Sequence, residues 1–225
     1  MLATTRAVRK RLDPAREVPE SLIRECVSLA LQAPAGSNVS RTRFVVVRDP
    51  GLRAAVAGIY SDVYLNSYRE SAGYIGRVAA KDAETQQKTA RSADALEGAL
   101  HEVGTIVIAC LDGLRLDGVP AFTSASMLGG VLPAMWSFML AARARGLGTA
   151  WTTMHLARER EVADILGIPF DTVQQVCLTP LAYTVGERFG PAKRPAPDEV
   201  IHWDRWDTGK LATPAMNGIA RAASF

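Results

Sequence analysis

The sequence predicts a layered protein of the mixed α/β or α+β class, with helices packed on a central sheet. Three observations carry that expectation. Short apolar runs rich in β-branched residues occur at 43–48 (RFVVVR), 105–111 (TIVIACL) and 173–184 (VQQVCLTPLAYT), as buried strands require. Stretches with helical periodicity lie between them, and turn sequences such as Asp49-Pro50-Gly51 and Asp112-Gly113 separate the two kinds of segment. With 225 residues, 48% hydrophobic and 22% charged, the chain can bury one sizeable core. It is read as a single domain over 1–225, in which 207–225 is a small, polar C-terminal tail.

Taken in order, Leu22, Ile23, Cys26, Val27, Ala30 and Leu31 recur at helical spacing, so a helix is expected over 19–31, begun by Pro19 and stopped before Pro34. The 43–48 strand follows, then a second helix from Leu52. Residues 61–100 are polar. Tyr60, Tyr64 and Tyr68, spaced by four, share one helix face with Tyr74 just beyond; they read either as a helix packed on its neighbours or as a mobile lid over a pocket. After the 105–111 strand a long helix is expected over 124–145, closed by Gly146. No residue from Gly118 to Ala142 is charged, which is apolar length enough for a bilayer. Gly129, Gly130, Pro133 and several hydroxyls dilute the stretch, and a helix buried on nearly all sides inside the protein is expected instead. An extended piece at 149–153 and a helix at 156–166, ended by Gly167 and Pro169, lead to the 173–184 strand. Pro180 predicts that the far half of that strand is irregular or at an edge.

The charge balance of 26 basic against 23 acidic residues leaves +3, too little to predict a nucleic-acid or anionic-membrane partner. Only the first twelve residues concentrate it, with Arg6, Arg9, Lys10 and Arg11 and no acid. That is the composition of an import presequence, but the apolar stretch of a secretory signal is lacking. Cys26, Cys110 and Cys177 each sit in an apolar run and make neither a disulfide framework nor a zinc site, so a cytoplasmic protein without a metal is expected. Gly146-Leu147-Gly148 opens like a dinucleotide fingerprint. However, Trp151 stands where the third glycine belongs, and the helix precedes the loop instead of following it. Without a Gly-x-Ser-x-Gly elbow or a Walker loop, acyl transfer and nucleotide hydrolysis have no support, and no catalytic side chain is assigned.

Three separated segments share a logic. Arg6 and Arg9 form one basic site, Lys193 and Arg194 a second, and the small-residue loop Pro34-Ala35-Gly36-Ser37-Asn38 exposes backbone N–H groups. Two cationic sites and such a loop suit a phosphorylated planar cofactor; singly, each also reads as a solvated arm, surface charge or a plain turn. Four blocks in order resemble the nitroreductase family of FMN-dependent oxidoreductases, from Thr5 to about Trp206. Arg6-Ala7-Val8-Arg9 resembles its N-terminal Arg-Ser-x-Arg phosphate motif. Residues 33–38 (APAGSN) with Phe44-Val45-Val46-Val47 resemble its Ala-Pro-Ser-x-x-Asn loop and the following strand. Residues 140–149 (LAARARGLGT) resemble its central helix and Gly-Leu-Gly-Thr end, and Ile168-Pro169, Pro180, Tyr183, Arg194 and Glu199-Val200-Ile201 match its C-terminal order.

The resemblance implies an α+β fold with a central mixed or antiparallel sheet flanked by helices, assembled as an interlocked homodimer with FMN bound by residues of both chains. The apolar helix would be its dimer core. Arg6 and Arg9, with Arg194, would hold the phosphate. Ala35, Gly36, Ser37 and Asn38 would lie along the ribityl chain and ring edge, and Trp151, Thr152 and Thr153 beside the ring, near its N1 and O2. The implied activity passes electrons from NAD(P)H through the flavin N5 to an electron-poor acceptor, a nitroaromatic or quinone, by a ping-pong scheme. A same-fold enzyme that dehalogenates, dehydrogenates or fragments its substrate, and a flavin-storing protein without turnover, are the alternatives. Two departures bear on the site. Ala7 replaces the motif's serine and removes a hydroxyl donor for which Lys10 or Arg11 would compensate, and Ser40-Arg41-Thr42 replaces Gln-Pro-Trp. Lys10 is the alternative to Arg9 if the motif's register moves by one residue.

Overall fold

Thr105–Asp112, strand β3, is the centre of the molecule. Every residue from Thr105 to Leu111 is buried, and alternate side chains enter two different cores. Ile106, Ile108 and Cys110 pack with Val56, Tyr60 and Leu96 on one face. Val107, Ala109 and Leu111 pack with Cys26, Met135 and Phe138 on the other. A strand covered on both faces reads as a continuous apolar run, which is why TIVIACL is legible without alternation.

This architecture comes from a computed structural model that describes residues 1–69, 83–186, 188–192 and 194–207. Around β3 the sheet is built from β1 (Leu12–Asp13), β2 (Thr42–Val47), β4 (Leu147–Thr149) and β5 (Val173–Thr184), in the order β1-β5-β3-β2 with β4 also on β5. Every pairing is antiparallel. Helices α1 (Glu20–Ala30) and α4 (Ala121–Ala144) cover one face; α2 (Pro50–Val63), α3 (Ala83–Ala99) and α5 (Glu159–Leu166) cover the other. A short α6 (Pro197–Val200) lies in the C-terminal arm. The fold is therefore α+β, three layers deep.

Local chemistry sets the boundaries. Asp49 caps α2 by accepting the Leu52 N–H at 2.9 Å, with Pro50 in the first turn. Gly146 and Gly167, at φ 75° and 65°, end α4 and α5 in the left-handed conformation that glycine adopts without strain. The helix expected at 156–166 begins with a 3-10 turn, Met154–Arg158, before α5.

Two expectations change, and one open choice is decided. Pro180 does not disrupt β5, which runs unbroken to Thr184 in the interior of the sheet. Thr152 and Leu178 exchange both backbone hydrogen bonds (2.9 and 2.8 Å), and β4 pairs from Leu181 onward. The missing N–H of Pro180 falls in the gap between them, opposite Ala150, whose own N–H donates to Thr179 Oγ1 at 2.8 Å. Second, α4 is buried on one face only: Val131, Met135, Phe138 and Ala142 point inward, but Phe122 is 82% and Trp136 42% exposed. Of the two readings of the tyrosines, the packed helix holds for Tyr60 and Tyr64, which are core residues. Their rings stack 6.2 Å apart, and Tyr64 meets Tyr68 at 5.7 Å as α2 continues through a π-helical turn, Tyr64–Tyr68. Tyr74 lies outside the described residues, as do Lys193 and 208–225.

Candidate functional site

The open edge of β4 gathers the first block of candidate residues. Val8 N–H donates to Thr149 O at 2.8 Å, so residues 6–9 run beside β4. Gly148 permits this approach: a Cβ there would stand 2.9 Å from Leu12 and Thr184 and 3.0 Å from Val8. Ala150 and Thr152 turn their N–H groups inward to β5, while Thr149 turns its carbonyl out to Val8. The alternation leaves the Trp151 N–H facing the open edge of β4. Trp151 and Thr152 are half-buried and Thr153 is exposed.

Below this edge sits Tyr60 of α2, 3% exposed. Burial above all, then the negative charge of Glu97, holds its hydroxyl above the ordinary tyrosine range, against a hydrogen bond with the Thr152 side chain and the charge of Arg9. Arg9 is half-buried and its charge acts on this hydroxyl, whereas Lys10 is exposed.

The C-terminal arm closes on the same edge. Arg6 donates to Gly190 O at 3.3 Å, and Arg194, exposed, follows four residues later, within roughly 14 Å of chain. Arg11 is committed elsewhere: both of its terminal nitrogens donate to Arg188 O, at 3.2 and 3.1 Å, and its guanidinium stacks 3.8 Å from the Phe189 ring centre. It therefore does not compensate for Ala7, which is exposed beside Arg6.

The second block lies elsewhere. Residues 35–38 form a 3-10 turn, Gly36–Asn38, on the N-terminal half of α4; Ala35 approaches Gly130 and Gly36 approaches Ser126. Ala35 is half-buried, Gly36 and Asn38 are exposed, and Asn38 takes φ 56°, a conformation open to Asn and Gly. The side chain of Ser37 lies outside the described residues. From Gly130 to the end of α4 is roughly 21 Å along the helix, and from the β2 edge to β4 is roughly 14 Å across three strand spacings. The two blocks thus stand roughly 25 Å apart in one chain.

Sequence reasoning missed Tyr60 and Phe189 as neighbours of the site. Tyr60 carries a helical signal only, and nothing local ties it to Thr152, 92 residues away. His155, two residues beyond the β4 edge, is fully buried with neither ring nitrogen hydrogen-bonded among the described residues, and burial lowers its pKa to about 3. It is a neutral core residue, as its lone position in the sequence suggests.

The family model described as the nitroreductase family matches residues 2–186. No curated protein matches the sequence. Among solved structures, an iodotyrosine deiodinase bound to FMN and 3-iodo-L-tyrosine is similar at TM-score 0.67 and 17% identity, over 90% of this chain and 96% of that one. A BluB-like flavoprotein from Clostridium difficile gives TM-score 0.63 at 16% identity, over 89% and 95%. A nitroreductase-like family protein from Bacillus cereus gives 0.62 at 15%, over 91% and 94%.

Proposed function

Because the chain belongs to the nitroreductase family, we propose that it is an FMN-dependent oxidoreductase, a homodimer that takes electrons from NAD(P)H and delivers them to an electron-poor acceptor of the nitroaromatic or quinone class. The observation that carries this reading is the convergence of Arg6, Arg9, the Trp151 edge and the C-terminal arm on one side of β4. These residues fit FMN. Arg6 and Arg194 supply cationic donors for a phosphate, and the outward Trp151 N–H supplies a donor for the polar edge of a flat ring.

Bound FMN would supply the electron transfer itself. The chain orients and tunes. The Thr152 backbone is fixed by both bonds to Leu178, so the neighbouring Trp151 N–H keeps its direction whatever the charge placed before it. Tyr60 remains protonated at neutral pH and holds the Thr152 side chain. A donor on this edge favours a ligand that gains negative charge. NAD(P)H and acceptor use one opening in turn, and parallel lines in double-reciprocal plots are expected.

The second block supports the homodimer. Ala35, Gly36, Ser37 and Asn38 serve the flavin of the partner chain, which removes the roughly 25 Å separation within one chain. The outer face of α4, with Phe122, Leu132 and Trp136 exposed, is the surface that the partner covers. The termini interlock. A groove of about 810 Å³ between α1 and the open β2 edge, lined by the apolar Val27, Phe44 and Val46, suits the aromatic side chains of such an arm. Residues 197–207 carry Asp198, Glu199 and Asp204 with Trp203 and Trp206 each 76% exposed. Three free, buried cysteines accord with the cytoplasm.

The test is the visible absorption spectrum of the purified protein, before and after NADPH or NADH is added without oxygen. A flavin spectrum that bleaches is expected; a colourless protein that FMN cannot reconstitute overturns the reading. Arg6→Ala and Arg194→Ala should each weaken FMN binding about tenfold, the worth of a charged hydrogen bond.

A further inference from the structure

We propose that Phe189, gripped by Arg11 and Arg143, is the positioning residue that carries the C-terminal arm to the phosphate end of the flavin site; this rests on the flavin reading above. The arm begins where β5 ends. Val185 N–H donates to Arg11 O at 2.9 Å, and Gly186, at φ 79°, turns the chain away from the sheet. Beyond it Arg188, Gly190 and Arg194 are exposed, while Phe189 is half-buried and packs on the core. Phe189 is therefore the anchor of a segment that otherwise lies on the surface.

Its grip is specific. Arg11 reaches the ring from beyond residues 6–9, with Cζ 3.8 Å from the centroid, and Arg143 from the last turn of α4, at 4.2 Å. Arg11 also holds the Arg188 carbonyl, and Arg6 the Gly190 carbonyl. The N-terminal arm, the end of α4 and the C-terminal arm thus meet at residues 188–190. Among the described residues, the partners of Arg6 and Arg11 are neutral carbonyls and an aromatic face, which orient a guanidinium without cancelling its charge. The positive potential remains available to an anion. Holding 188–190 in place brings Arg194, four residues on, to the same anion as Arg6.

A device that acts on the phosphate end alone distinguishes flavins by their phosphate. The experiment compares FMN with riboflavin, by fluorescence titration, on wild-type protein, Phe189→Leu and Phe189→Tyr, with thermal unfolding of each to confirm folding. Wild type should prefer FMN. Leu keeps the apolar bulk and loses the aromatic face, so Phe189→Leu should weaken FMN about tenfold and leave riboflavin unchanged, while Phe189→Tyr should restore the preference. Unchanged preference in Phe189→Leu, or equal weakening of both flavins, overturns the inference and leaves the flavin reading standing. A wild-type protein that binds both flavins equally, or neither, overturns the phosphate reading and this inference with it.

Discussion

The arginine edge of β4 and the 35–38 loop differ in what holds them. Residues 6–9 are tied to β4 by the Val8 N–H to Thr149 O bond, Thr152 is tied to β5 by both bonds to Leu178, Tyr60 lies beneath and the C-terminal arm closes on Arg6, all within one chain. The 35–38 loop rests on α4 and faces outward, next to the uncovered apolar surface of that helix. One half of the site is built by folding and the other awaits assembly. The lesson is that distance within a chain, and not residue type, tells which parts of a family motif act together.

The largest expected effect tests that division directly. Arg6→Ala damages the arginine edge; Asn38→Gly removes the loop amide and keeps the positive φ that the turn needs. Each variant alone should bind FMN about tenfold more weakly and, equilibrated at an FMN concentration near the wild-type Kd, leave most of its sites empty. Co-expressed, the two chains form mixed dimers with one site free of both lesions, and roughly a quarter of the wild-type flavin content should return under random pairing. If the loop serves its own chain, every site keeps a lesion and no flavin returns.

Next comes packing. Gly148→Val places methyl groups where even a Cβ meets Val8, Leu12 and Thr184 at 3.0 Å or less. The expected cost is about 3 kcal/mol in chemical denaturation, with loss of FMN, because the N-terminal arm must leave β4. Gly36→Ala is the contrast. Its Cβ would find only Ser126 O, at 3.9 Å, and stability should stay within about 0.5 kcal/mol of wild type. Equal penalties at the two glycines would erase the distinction between a packed and an exposed half.

How much of this was legible follows the same line. Local signals gave β3, α1 and the cap of α4, because TIVIACL, the Ile23-Cys26-Ala30 spacing and Gly146 each act within a few residues. Pro180 misled because its missing N–H faces only Ala150, thirty residues away, whose own N–H donates to Thr179 Oγ1. The absence of charge over 118–142 suggested burial on nearly all sides, whereas the chain itself covers only one face of α4. Arg6, Arg9 and 151–153 could be proposed from motif order. Their union with Tyr60 and Phe189 could not, since it depends on sheet pairings and an arm that returns across 180 residues.

A smaller effect is expected from pH. Buried His155 lies just past the arginine edge and stays neutral in the folded protein down to about 3, whereas the unfolded chain protonates near the ordinary histidine value of 6.5. The unfolded state thus binds the extra proton first. The contribution of His155 is constant above about pH 6.5 and becomes increasingly unfavourable as pH falls from 6.5 towards 3, reaching about 2 kcal/mol at pH 5. His155→Leu should flatten denaturation midpoints across this window. An unchanged slope would mean that protonated His155 finds a partner in the folded state.

The smallest effect sharpens the arginine edge itself. Ala7 stands between Arg6 and the buried Val8, is exposed, and replaces a serine of the family motif. Ala7→Ser adds one hydroxyl without filling occupied space. If residues 6–9 hold a phosphate, that hydroxyl gains an anionic acceptor, and FMN should bind about three- to tenfold tighter, the range of a single hydrogen bond, with riboflavin unchanged. The same substitution cannot reach a ligand held at the 35–38 loop of its own chain, so a gain confined to the phosphorylated flavin assigns the phosphate to the arginine edge. Equal gains for both flavins would place the ring there instead.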